Sequence, residues 1–291
     1  MNASQVARDY ASRFRRLRAE WGNSEAQDWD RSNLLAAAAA RDEFQHLSFG
    51  EIADLGDCRD FWINTYNGAV IDLIITLATA AGVRRSVKEI DRFFEVKILK
   101  VADIPLSLDD IEHGLLRANR RHPAGLLPPL LHRPHLKAWM VPHFDPRIHF
   151  ALNYGGRSCP PVEMYTEAEI DSQLDRAAAA FLNAEVEIDT ERSIIRANPI
   201  LRWYRADFAG LGGLEGLIRR YHPGELDECR WRFTWKEYDW SLWPVCSGPT
   251  PHQEAPDEGE GDAPQGGPPL APGGVRPGEK PDSGGHRRSG T

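Results

Sequence analysis

The sequence predicts an α+β protein: a single domain of helices packed on a small mixed or antiparallel sheet, followed by a disordered C-terminal tail. Three observations predict this. Apolar residues recur at helical spacing over residues 4–21, 61–81 and 170–182. Short strand-like runs bounded by turn residues fall at 95–107, 186–196 and 231–235. From Ser247 onward there is no aromatic residue, and 20 of 45 residues are proline or glycine, too little apolar surface to offset chain entropy. The organisation expected is an N-terminal helical segment over 1–49, a main domain over 50–243 and the tail over 244–291.

In the first segment Val6, Tyr10, Phe14 and Leu17 form one apolar stripe, with arginines on the solvated face. Ser32 or Asn33 is placed to cap an alanine-rich helix over 34–44. Residues 50–56 read as a linker. Asp57 or Asp60 then opens the longest helix, Phe61–Ala81, whose broad apolar face holds Trp62, Tyr66, Ala69, Val70, Leu73 and Leu77. Asn64 and Asn67 sit inside it, although asparagine is a poor helix former. Either they brace neighbouring backbone or they orient a catalytic ring or a bound carbonyl.

A short hairpin turns at Ala102–Asp103. Ser107 with Asp110 resembles a capping box opening a helix to about Ala118, with Leu108, Ile111, Leu115 and Leu116 as its buried stripe. Glu112 falls inside that stripe and His113 on its flank. A buried carboxylate needs a partner: an arginine would make it structural, a histidine ring catalytic. Residues 123–146, rich in proline and histidine, read as a surface excursion. His132 and His135 flank Pro134 and cannot share a helix face, so no metal site is expected there.

Residues 148–153 alternate, which predicts a half-buried strand with Ile148, Phe150 and Leu152 inward and His149, Ala151 and Asn153 on a polar face. Gly155-Gly156 ends it. Cys159-Pro160-Pro161 follows, so an imidazole and a thiol lie ten residues apart across a turn. Thr166 with Glu169 then reads as the strongest capping box in the chain. It opens an amphipathic helix with Ile170, Leu174, Ala177, Ala178, Phe181 and Leu182 inward. Trp231, Phe233 and Trp235 alternate as a core-packing strand.

Composition narrows the function. A net charge of −8 and a pI near 5.7 argue against a nucleic-acid partner. Cysteines at 58, 159, 229 and 246 form neither a disulfide framework nor a CxxC knuckle, which fits reduced thiols in a cytoplasm. No run reaches the ~20 apolar residues of a membrane span, and the arginine-rich start lacks a signal-peptide block. No phosphate-cradling glycine motif is present, so no cofactor is expected.

Several motifs in order resemble the domain-of-unknown-function 547 family. They are Phe61-Trp62-Ile63-Asn64-Thr65-Tyr66-Asn67, the run from Ser107 through Arg117, Arg147 to Asn153 with Ser158-Cys159-Pro160-Pro161, and Tyr238-Asp239-Trp240. The resemblance spans roughly residues 50–243. It implies one α+β domain with no established activity, and its polar positions are Asn64, Asn67, Glu112, His113, His149 and Cys159. Two functions are then expected. One is a thiol-dependent hydrolase or acyl transferase acting on a peptide, amide or thioester, a rearranged version of a papain-like or transglutaminase-like site. There Cys159 is the nucleophile, His149 or His113 the base, and an asparagine or Glu112 orients the ring. The other is a non-catalytic module that binds a protein partner.

Overall fold

A computed structural model describes residues 2–21, 31–81, 86–123, 125, 127–224, 226–227 and 230–242. The expected tail, Trp243, Cys229 and Cys246 lie outside the described residues.

Helix α1 (Ala3–Trp21) buries Val6, Tyr10, Phe14 and Leu17, the stripe its periodicity predicts. Helix α2 (Arg31–Asp42) starts one residue before Ser32, so the cap expected at Ser32 or Asn33 lies within its first turn. The expected linker holds a short helix, α3 (Phe49–Ala53). Ser48 accepts the Glu51 N–H at 3.2 Å, while the Glu51 carboxylate takes the Ser48 N–H at 2.8 Å. That capping box was legible as Ser-x-x-Glu and outweighs the flanking glycines.

Helix α4 (Arg59–Ala81) is the central rod. It is buried all round, not on one face: Trp62, Ile63, Tyr66, Ala69 and Val70 are inaccessible, and so are Asn64, Thr65 and Asn67. Asp57 accepts the Arg59 N–H at its start, 3.2 Å away. Asp72, also buried, takes the Tyr10 hydroxyl at 2.7 Å and the Arg41 guanidinium at 2.7 Å, joining α1, α2 and α4 through one carboxylate. Close approach of α1 explains Gly68, where an added Cβ would lie 2.5 Å from the Tyr10 ring and 3.2 Å from the Ala11 Cα.

Strands β1 (Leu99–Val101) and β2 (Ile104–Leu106) form the expected hairpin. Ala102 and Asp103 both have positive φ (46° and 62°), as a two-residue turn of this hand requires. Ser107 and Asp110 exchange the two capping-box hydrogen bonds. The segment that follows is a π-helix over Asp110–Leu116, not an α-helix. Arg117 N–H donates to the Glu112 carbonyl and Asn119 N–H to that of Gly114, five residues back in each case. The wider turn buries Glu112 and His113 together with the apolar stripe.

The proline-rich excursion is more than surface: Leu130, Leu136 and Trp139 in it are inaccessible. Residues 148–153 correct the expected strand. Asp145 accepts the Arg147 N–H at 3.0 Å and Pro146 occupies the first helical position, so Pro146–Phe150 is a 3-10 turn. All six residues from Ile148 to Asn153 are buried, which removes the polar face expected for His149.

Helix α5 (Ile170–Glu185) buries Ile170, Leu174, Ala178, Phe181 and Leu182. Its expected capping box does not form. Thr166 makes no side-chain cap bond, and its N–H goes to Gln173 Oε1 at 2.9 Å, with a 3-10 turn at Glu167–Glu169 leading in. Strands β3 (Val186–Asp189) and β4 (Ile194–Ala197) pair antiparallel. After α6 (Pro199–Trp203) and α7 (Gly213–Tyr221), strand β5 (Arg232–Trp235) joins β4 in parallel. The three-stranded sheet is therefore mixed and the hairpin antiparallel. With α1 and the π-helix against α4, and α5 against α7, the α+β expectation holds.

Gly68→Ala tests the α1–α4 contact. Overpacking here is expected to destabilise by about 1–3 kcal/mol, read as a fall in chemical-denaturation midpoint. An unchanged midpoint would mean that α1 sits further from α4.

Candidate functional site

Asn64 and Asn67 lie one turn apart on α4 and each grips another segment by two bonds. Asn64 donates to the Tyr165 carbonyl at 2.8 Å and accepts the Tyr165 N–H at 3.0 Å. Asn67 donates to the Ala151 carbonyl and accepts the Asn153 N–H, both at 2.9 Å. The stretch 151–165, which carries Cys159, is thus fastened at both ends to the central rod. Of the two readings of these asparagines, the hydrogen bonds match backbone bracing. Within the stretch, Asn153 donates to the Pro160 carbonyl and accepts the Gly155 N–H at 2.9 Å. Gly155 has φ +85°, and Gly156 passes so close to the Asp239 carbonyl that a Cβ would lie 2.8 Å from it.

The Cys159 sulfur, partly buried, accepts N–H bonds from Tyr154 and Gly156, each at 3.2 Å, and meets the Tyr238 hydroxyl at 3.1 Å. Burial pushes its pKa up, against the opposing pull of Tyr238, the two backbone amides and the positive field of Arg18 from α1. The thiol is the resting form at neutral pH. Its hydrogen-bond partners include no imidazole.

Both histidines belong to a buried polar cluster that shares Tyr154 with the surroundings of the thiol. Glu112 is ringed by hydroxyls: Tyr204 at 2.6 Å, Tyr66 at 3.2 Å and Tyr154 at 3.3 Å all donate to it. Burial raises its pKa, and the hydroxyls with Arg117 only partly offset that. Arg117 donates to Asp207 at 2.8 Å and to His113 Nδ1 at 3.0 Å. His149 Nε2 meets the same Asp207 carboxylate at 2.9 Å, and its ring stacks on Tyr204 with centroids 3.8 Å apart. Beside an ionised carboxylate the neutral ring carries its proton on Nε2. Nδ1 has no hydrogen-bond partner among the described residues.

Burial lowers the His149 pKa to about 4, outweighing the bond to Asp207. Asp207 moves the other way from what burial alone would do: bonds from His149 and Arg117 hold it well below the usual carboxylate range. His113 is likewise depressed, by burial and by Arg117. Glu112 lies 3.6 Å from His113 and accepts three tyrosine hydroxyls, so its partners are neither of the two expected kinds alone.

The structure therefore divides the six expected positions into three groups: the asparagine clamps, the buried Glu112–His113–His149 cluster, and Cys159. Sequence reasoning missed Asp207, Arg18, Tyr154, Tyr204 and Tyr238 as contributors, because only tertiary packing brings them in. Two left a trace: Asp207, as a carboxylate next to apolar Phe208, and Tyr238, inside the Tyr238-Asp239-Trp240 motif.

Cys159 lines a cleft of about 530 Å³ between residues 157–165 and α5. It is lined by apolar Phe150, Ala177, Ala180 and Phe181 and by charged Arg157, Glu163, Arg176 and Glu185. A second cleft, about 670 Å³, holds Arg59 and Arg147 already paired with Asp57, Asp145, Asp171 and Asp175. Among the described residues no group of His, Cys, Asp and Glu side chains is placed to hold a metal ion, and no helix is long and apolar enough to cross a membrane.

Fold and site together define an α+β domain with a clamped, thiol-bearing loop beside a cleft. Residues 60–182 match the family described as protein of unknown function, DUF547, and the resemblance carried by the sequence motifs holds over that stretch. No curated protein and no solved structure matches the chain.

The depressed His149 pKa carries a stability consequence. The neutral ring favours the fold fully above its unfolded value of ~6.5 and loses that contribution as pH falls toward about 4. From pH 7.5 to 4.5 the loss is roughly 2–3 kcal/mol. His149→Gln, which keeps a donor for Asp207 without titrating, should shrink the drop in urea-unfolding free energy by that amount. An identical pH slope in the variant would show that His149 titrates normally.

Proposed function

We propose that this domain is a binding module that takes an extended segment of a protein partner into the cleft beside Cys159. The observation that carries this reading is the cleft wall. Residues 160–165 belong to no helix or strand; Pro160-Pro161 favours an extended course, and the carbonyls of Pro160, Met164 and Tyr165 are held by the side chains of Asn153, Gln173 and Asn64. The backbone of 161–163 hydrogen-bonds to no other described residue. An extended, unpaired backbone accepts a second strand, and side-chain pockets beside it select the sequence. Alanines at 177, 180 and 184 keep the facing helix shallow enough for an apolar side chain of the partner. Lining charges of both signs favour a partner segment with charges flanking that side chain.

Thiol-dependent hydrolysis or acyl transfer of a peptide, amide or thioester is the second reading, favoured by one observation: Sγ faces the same cleft with two N–H donors and a hydroxyl aimed at it. It requires an activating base. His149 and His113 are both committed to Asp207 and Arg117, and the raised thiol pKa leaves little thiolate. The binding reading needs neither.

Two measurements separate the readings. Ala180→Trp fills the cleft from an exposed helix position, so stability should change by no more than about 0.5 kcal/mol. Its affinity for peptides selected against the native domain should fall about tenfold or more. Iodoacetamide labelling of Cys159 should reach half its maximal rate above the ordinary thiol value of ~8.5. Peptides indifferent to Ala180→Trp would remove the cleft from the account, and half-maximal labelling well below pH 8 would favour the catalytic reading.

A further inference from the structure

We propose that the excursion following the π-helix is a docking surface for an anionic lipid bilayer. Charge segregation is the first observation. In a chain of net charge −8, residues 113–144 contain no aspartate or glutamate, yet they hold Arg117, Arg120, Arg121, Arg133 and Lys137. Of the carboxylates that approach this region, two are already paired with cations, while Asp109 lies 3.8 Å from the His113 ring. Asp110 is paired with Arg133 and Lys97, and buried Asp207 with Arg117 and Arg120. Arg121 and Lys137 are exposed and have no ion-pair partner among the described residues.

The second observation is apolar and independent. Leu127 and Leu131 are 64% and 50% exposed, two of the three large hydrophobic side chains at least half exposed among the described residues. They are not loose ends. Leu130 between them is fully buried against Gly114, and its N–H is held by Asn119 Oδ1 at 2.9 Å. The Leu131 N–H closes a turn on the Pro128 carbonyl, and Pro128–Pro129 stiffens it. A rigid anchor thus holds two leucines outward in a stretch of chain that carries cations and no carboxylate side chain. Cations at headgroup level with apolar side chains reaching the acyl boundary are the chemistry of peripheral attachment to an acidic membrane. Neither feature alone selects that partner, since a purely acidic protein surface leaves the leucines wet. The acidic remainder of the chain would be repelled from such a membrane, which fixes the face that approaches.

The experiment is co-sedimentation of the full chain with vesicles of phosphatidylcholine alone and with phosphatidylserine added, at ~0.1 M salt where the Debye length is ~10 Å. Sedimentation is expected only with the acidic vesicles. Arg121→Gln/Lys137→Gln should weaken it about thirtyfold, roughly fivefold for each cation. Leu127→Ser/Leu131→Ser should weaken it at least about tenfold while leaving the thermal transition in place, since both side chains are exposed. No sedimentation with acidic vesicles would overturn the proposal, as would equal binding to phosphatidylcholine alone or undiminished binding by the leucine variant. Capture of a glutamate-rich peptide, lost in Arg121→Gln/Lys137→Gln, without vesicle binding would instead assign the surface to an acidic protein.

Discussion

Two asparagines on a buried helix set the geometry on which everything else rests. Asn64 and Asn67 sit where the chain has no water to offer their amides, so each must find both a donor and an acceptor. They find them on the backbone at Tyr165 and at Ala151 and Asn153, and so tie down both ends of one loop. Net, such bonds contribute only about 1 kcal/mol each, but leaving one partner unmet in the interior costs about 1–3 kcal/mol. That asymmetry makes the clamp hard to release. The position of Cys159 follows from the clamp, not from local preference.

The same logic governs the buried polar cluster. Two carboxylates, an arginine, two imidazoles and three phenols share a buried space, and nearly every polar atom is matched. The cluster joins α4, the π-helix, the turn at 146–150 and the segment around α6. Ionisable groups in this setting shift because of the fold, so perturbed pKa values here are signs of construction. The sulfur's hydrogen bonds come from two backbone amides and a phenol and not from either imidazole, which is what turns the functional reading from chemistry toward recognition. Nδ1 of His149, one of two buried side-chain polar atoms without a hydrogen-bond partner among the described residues, belongs to a ring stacked on Tyr204 and edged by Phe144 and Phe208.

Where a single element decided its own conformation, the chain could be read directly. The stripe of α5 and the turn at Ala102–Asp103 came from local periodicity and from positive-φ geometry. Residues 148–153 show the limit. Their alternation mimics a strand, yet Asp145-Pro146 immediately upstream is a helix-start signal, and it wins because the segment is buried on every side. Thr166 and Glu169 had the spacing for a cap, but Gln173 from the next turn took the backbone N–H first. The motifs singled out six polar positions, of which the structure buries five and leaves Cys159 half-buried. Their division into clamp, buried cluster and cleft was not legible, because Asp207 and Tyr204 lie some fifty residues beyond and meet His149 only in the assembled fold.

The claim most exposed to test is that His149 serves the interior and not the sulfur. Imidazole ¹⁵N shifts followed from pH 8 to pH 5 report its protonation and its tautomer directly. A neutral ring with its proton on Nε2 throughout, identical in Cys159→Ser, is the result this account requires. A titration centred near pH 6.5 that moves when the sulfur is removed would make the two groups partners, and the domain an enzyme after all.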